Sequence, residues 1–214
     1  MRAFMILVFL LGSPALAEGE RSGDFDYYVL SLSWSPNFCA RIDDPDHPQC
    51  DPNRNYGFVL HGLWPQYEEG WPSFCPTAER APSRAMTAAE APLYGSSGSA
   101  WHQWRKHGTC SGLSAPAYYE TAREALRSVK LPSILRKIDR EMEINPKVLE
   151  ETFLEVNPEM TPDQVTITCK SNMFQEVRIC MTKDLELRTC GSDVVRDCTL
   201  PDPLFLPILS NQPE

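Results

Sequence analysis

Apolar and polar positions change period along the chain, and the changes predict its elements. Residues 27–34 (YYVLSLSW) alternate in part and are rich in β-forming side chains, which predicts a strand. Residues 57–61 (GFVLH) predict a second strand, ended by Gly62 and Pro65, and residues 165–187 alternate strongly enough for two more. Helical spacing takes over in residues 97–107, stopped by Gly108, and again in residues 115–129, 134–142 and 146–156. A shorter helix over residues 87–94 opens on a Thr-x-x-Glu capping pattern, Thr87 to Glu90, and is limited by Pro92. Residues 41–55 carry Asp43, Asp44, Asp46 and Asp51 among prolines and read as an exposed loop with His47 in solvent. Helices combined with antiparallel strands imply an α+β fold, a central, largely antiparallel sheet flanked by helices.

The two ends of the pattern add a compartment. Residues 1–17 place Arg2 before an apolar run and close on Ala15-Leu16-Ala17, the arrangement of a cleavable signal peptide. Residues 18–214 are then expected to form one domain, long enough to fold as a monomer, and periplasmic or secreted. Every other apolar run is too short to span a bilayer, so no membrane partner is expected. Eight cysteines agree with an oxidising compartment and imply four disulfides. Cys39 and Cys50 bracket the polar loop. Nested pairs Cys169–Cys198 and Cys180–Cys190 suit an antiparallel hairpin, which leaves Cys75–Cys110. No C-x-x-C pair is present to suggest zinc.

Charge narrows the partners. The net charge is −9, and loss of the leader's arginine makes the remainder more acidic. A dedicated, tight nucleic-acid binder relies on lysine and arginine to neutralise phosphates, so that class is disfavoured. An enzyme gripping one or two nucleotides needs only a local cluster.

Such a cluster exists. Three of the four histidines fall in two short segments, His61 in HGLWPQ and His102 with His107 in WHQWRKHGTC. On a helix, His102, Gln103, Lys106 and His107 share one side, and His61 projects toward it from a sheet edge. Two imidazoles can serve as base and acid in one turnover, and a neighbouring lysine stabilises developing negative charge. No serine or cysteine motif supplies a nucleophile, so the substrate must bring one, as RNA does with its 2′-hydroxyl. Neither metal nor cofactor is then required, and Arg105 and Lys106 would repel an ion bound at the histidines. Trp64, in a glycine-proline turn beside His61, suits base stacking, whereas Trp104 suits core packing.

The segments His61-Gly62-Leu63-Trp64-Pro65 and His102-x-Trp104-x-Lys106-His107-Gly108-Thr109-Cys110 resemble the two active-site segments of the ribonuclease T2 family. The opening YVLSLSWSPNFC and the cysteine-bearing tail resemble its bacterial, ribonuclease I type branch. The resemblance implies a disulfide-stapled T2-type fold and a metal-independent endoribonuclease of broad base preference. Its substrate would be RNA, cut to 2′,3′-cyclic phosphates that water opens more slowly to 3′-phosphates. It assigns His107 as general base, His61 as general acid, His102 as phosphate ligand, Lys106 as the cation on the phosphorane, and Trp64 as the aromatic stacking on the base 5′ to the cut. Two positions depart from the pattern. Gln103 stands where the family usually has glutamate, and it cannot carry a proton or a charge. Ser99 stands where an aromatic residue is expected. Gln66 and Tyr67 follow Trp64 closely enough to reach a base edge. The competing readings are a catalytically weakened RNA-binding or signalling relative and a metal-dependent phosphodiesterase.

Overall fold

Strand β1 (Tyr27–Trp34) is the axis of the molecule, with all eight residues buried. The computed structural model describes residues 21–44 and 46–208; the expected signal peptide lies outside the described residues. Tyr28, Leu30, Leu32 and Trp34 enter the main core, while Tyr27 and Val29 pack on the opposite face with Cys180, Cys190 and Val194. Alternation is only partial because both faces of this strand are covered. β1 pairs antiparallel with β2 (Phe58–Gln66) on one side and with β5 (Met173–Met181) on the other. Among the described residues the six-stranded sheet runs β2-β1-β5-β6 (Leu204–Phe205)-β3 (Met142–Glu143), with β4 (Val165–Lys170) also pairing to β5. All pairs are antiparallel except β5 with the two-residue β6 (Leu204–Phe205). Among the described residues no helix is long and apolar enough to cross a membrane.

β2 is longer than its hydrophobic pattern predicts, running through Gly62 and Pro65. Its position at the sheet edge explains this, since a proline lacking an N–H is tolerated where one side of the strand has no neighbour. Immediately after β1, the short helix α1 (Ser35–Cys39) starts with Pro36 in its first turn. Helix α2 (Arg84–Tyr94) begins three residues before the expected start. Ser83 is the cap, its hydroxyl accepting from the Met86 N–H at 3.2 Å, while Thr87 lies inside the helix. Helices α3 (Ser97–Lys106), α4 (Ala115–Ser128) and α5 (Pro146–Val156) follow the expected spacing.

The helix expected over residues 134–142 is absent. A single 3₁₀ turn, Ser133–Lys137, leads instead to β3 (Met142–Glu143), which pairs with β6. Leu135 is buried while Ile134 and Met142 are exposed, so the apolar spacing is not used as a helical stripe. Tertiary pairing with β6 overrides the local preference. His47 is half-buried rather than free in solvent. Its ring lies edge-on to Phe38 at 5.2 Å, and its Nδ1 accepts from the Gln49 N–H.

Four disulfides join Cys39 to Cys50, Cys75 to Cys110, Cys169 to Cys198 and Cys180 to Cys190. Only Cys169 and Cys180 lie in the β4–β5 hairpin; their partners come from an irregular segment that folds back on it. The helices are fixed to the sheet edge by two buried tyrosines of α4. Tyr118 donates to the Leu63 carbonyl in β2 at 2.9 Å, and Tyr119 donates to the Ala100 carbonyl in α3 at 2.8 Å. Trp104 of α3 packs on Tyr118, confirming its place in the core. Removing the first of these hydroxyls with Tyr118→Phe should cost about 1–2 kcal/mol. Urea unfolding should show a lower midpoint with unchanged slope.

Candidate active site

A ladder irregularity aims the first histidine. Along the β1–β2 pair, Ser31 faces Gly62 and Leu32 faces Leu60, so His61 is the extra residue of a β-bulge. Leu60 and Leu63, three positions apart, therefore both reach the main core. The same device recurs in β5. Thr168 faces Glu176 and Cys169 faces Phe174, which leaves Gln175 as the extra residue. Glu176 faces Ser33 across β1, and the small side chains Ser31 and Ser33 leave room for groups on β2 and β5 to meet above the middle strand. His61 and Glu176 do meet, Nδ1 to Oε1, at 2.6 Å.

The second segment closes over this pair. Helix α3 ends at Lys106, and His107 is its C-cap residue, buried, with its N–H donating to the Gln103 carbonyl. The four residues expected on one side all line the same space, at different depths. His102 is exposed at the rim, Lys106 is half-buried, and Gln103 and His107 are buried against Trp64. The Trp64 indole N–H donates to Gln103 Oε1 at 2.9 Å, and its ring stacks on His107 at 5.2 Å and 23°. His61 lies edge-on to the same indole. Gly62 is required by this closeness, because a Cβ there would lie 2.2 Å from both Gln103 Oε1 and Trp64 Nε1.

Two clefts meet at the histidines. One, of about 340 Å³, is lined by Trp64, Gln66, Trp71, Lys106, His107 and Arg178 among others. The other, of about 520 Å³, is lined by Ser33, Phe38, Arg41, Gln49, Tyr94 and Ser99 among others. His61, His102, Gln103, Gln175 and Glu176 belong to both. Tyr67 is not among the residues lining either; it is partly buried and packs against the main core. Gln66 is buried, with its amide donating to the Pro65 carbonyl. Among the described residues no group of three metal-binding side chains gathers.

Electrostatics divide the site. Burial, followed by the charges of Lys106, His61 and His102, pushes His107 down to about 2. Partial burial and then Lys106, His61 and Arg105 lower His102. For Glu176 burial opposes the charge, but the hydrogen bonds and charges of His61 and Arg178 outweigh it and hold the carboxyl at about 2.

The Ribonuclease T2 family model matches residues 25–190. The chain belongs to this family. A ribonuclease from Aeromonas hydrophila is 37% identical over 205 residues, covering 92% of this chain and 93% of that protein. Among solved structures, an RNase-related protein from Calystegia sepium has a TM-score of 0.63 at 22% identity, over 86% of this chain and 97% of its own. RNase NT in complex with 5′-AMP has a TM-score of 0.57 at 21% identity, over 79% and 96%. This T2-family ribonuclease is thus of the bacterial type, on the α+β fold that those structures share.

Sequence reading alone passes over Trp71, Gln175, Glu176 and Arg178. Trp71 is 46% exposed at the lip of the smaller cleft, flanked by Gly70 and Pro72 in a run without periodicity. Glu176 is a charged residue at a buried strand position, a pattern that signals a partner without saying which.

Acid should expose the cost of the buried groups. The folded protein keeps His107 neutral where the unfolded chain protonates it, so the unfolded state binds more protons below about pH 6.5. Stability therefore falls as pH drops from that point, and Glu176 adds a second loss between about pH 4.5 and 2, because there the folded carboxylate stays charged. Calorimetric Tm values across pH should show both losses, and His107→Gln should remove the upper one.

Proposed function

We propose that this endoribonuclease cleaves single-stranded RNA by 2′-hydroxyl attack on the adjacent phosphodiester, giving 2′,3′-cyclic phosphates that are hydrolysed more slowly. The observation that carries the reading is the unlike treatment of two imidazoles across one cleft. His107, stacked on Trp64 and lining the cleft beside Lys106, can take the 2′-hydroxyl proton with its neutral ring. His61, with a carboxylate at its Nδ1, can deliver a proton to the departing 5′-oxygen. Lys106 and His102 face the same space and would hold the phosphate and its added charge in the pentacoordinate state. Gln103 keeps Trp64 in place through a carbonyl acceptor that glutamate would also supply, which supports an active enzyme despite the departure from the family pattern.

The two clefts suit the nucleotides on either side of the scissile phosphate. Trp64 forms the inner wall of the smaller one and Trp71 its lip, so the base 5′ to the cut is assigned there. Ser99, joined to Ser96, sits in the larger one, where its small polar side chain leaves the 3′ base loosely gripped and supports broad preference. Export to the periplasm or medium, with the leader removed, is part of the same proposal. The four disulfides support it.

Purified protein should cut RNA fully in EDTA and leave cyclic-phosphate ends. Cleavage abolished by the chelator would indicate a metal-dependent phosphodiesterase, and binding without cleavage a signalling relative. His107→Ala should lower kcat by roughly 10²- to 10⁴-fold, and full retained activity would refute the base assignment. Trp71→Ala should raise KM for a dinucleotide by about 5- to 100-fold through lost stacking, with kcat changed much less.

A further inference from the structure

The carboxylate of Glu176 is the least expected group in the site. It is 1% exposed, on a strand whose neighbours Val177 and Ile179 are core residues, and it is fully engaged. Oε1 meets His61 Nδ1 at 2.6 Å and accepts from Gln175 Nε2 at 3.3 Å. Oε2 accepts from Arg178 Nε at 3.0 Å and Nη2 at 2.9 Å. Arg178 is itself held, its guanidinium lying 5.3 Å over the Trp64 ring. A structural ion pair would need only Arg178. The side of the carboxylate turned to the cleft is given to the histidine.

We propose that Glu176 is the positioning residue for His61: it accepts the hydrogen bond from Nδ1–H, fixes the ring, and so presents Nε2 to the cleft, where the leaving oxygen draws its proton. The inference rests on the acid role proposed for His61. As the 2′-oxygen bonds to phosphorus, its proton goes to His107. The P–O5′ bond breaks, O5′ receives the Nε2 proton, and His61 is left as a neutral ring with Nδ1–H still on Glu176. Other charges face His61, so Glu176 has work to do. His102, Lys106 and His107 approach from α3, Arg178 from β5, and Arg41 from beyond α1. Lys170, Arg196 and the carboxylate of Asp193 also line these clefts. Among the described residues Glu176 is the one carboxylate hydrogen-bonded to His61, and Gln103 can contribute no charge.

Leaving-group chemistry separates this proposal from a structural role. A dinucleoside phosphate expels a poor alkoxide and needs the acid, whereas uridine 3′-(4-nitrophenyl phosphate) expels a phenolate that does not. Glu176→Gln should lower kcat on the dinucleotide by about 10- to 100-fold, with little change in KM. On the nitrophenyl ester the loss should be far smaller. Nitrogen NMR of the unmodified protein adds a readout free of folding effects: neutral His61 should carry its proton on Nδ1, against the Nε2 preference of free imidazole. Equal losses on both substrates, no loss on either, or an Nε2–H tautomer would overturn the proposal. His61→Ala keeps the two readings apart. If it spares the nitrophenyl ester while Glu176→Gln changes nothing, the acid assignment stands and the positioning role fails. If it impairs both substrates equally, the acid assignment itself is wrong.

Discussion

Two tyrosine hydroxyls set where everything else can be. Tyr118 and Tyr119 are adjacent on α4, and each gives its single proton to a main-chain carbonyl of a different element, Leu63 in β2 and Ala100 in α3. Both are buried, so neither bond can be exchanged for water without a large penalty. The distance between the His61 strand and the His102–His107 helix is thereby measured from one rigid turn of a third helix. The Cys75–Cys110 disulfide and the Phe74 N–H bond to the Lys106 carbonyl secure the far end of α3. Gly108 lets Trp104 and Tyr118 close on the backbone there, where a Cβ would sit 2.4 Å from the indole.

Within that frame Trp64 is a partition. Its indole separates the half-buried, carboxylate-backed His61 from the buried His107 beside Lys106, touching both rings and hydrogen-bonding Gln103. Two imidazoles with the same intrinsic chemistry are given unlike environments on either side of one indole, which is what the acid and base roles proposed for them require. The protein's overall acidity is no obstacle, because the cations that matter, Lys106, Arg178 and Arg41, are gathered along the clefts.

Much of this was legible from residue order, for identifiable reasons. The histidine segments are short and local, so composition and helix phase expose them without knowledge of the fold. Cys39 and Cys50 bracket one loop, and that pair is readable for the same reason. Long-range pairing is harder to see. Residues 134–142 have helical spacing, yet β6, some sixty positions later, draws Met142 into a strand. The start of α2 is missed because Ser83 and Thr87 are both capable caps and only packing chooses between them. Glu176 lies more than a hundred residues from His61, and no periodicity links a strand position to a partner two strands away.

The bulge at His61 means that the orientation of this histidine is a matter of counting. β2 carries one residue more than β1 across the same span, and that surplus turns His61 to the cleft while Leu60 and Leu63 stay in the core. Deleting either His61 or Gly62 would heal the ladder, leaving Leu60 and Leu63 opposite Leu32 and Leu30 and removing the surplus residue that the bulge turns out of the regular alternation. Point substitution can vary the chemistry at this edge position by position. A change in length there is a different kind of event, one that would leave the composition nearly untouched and dismantle the site.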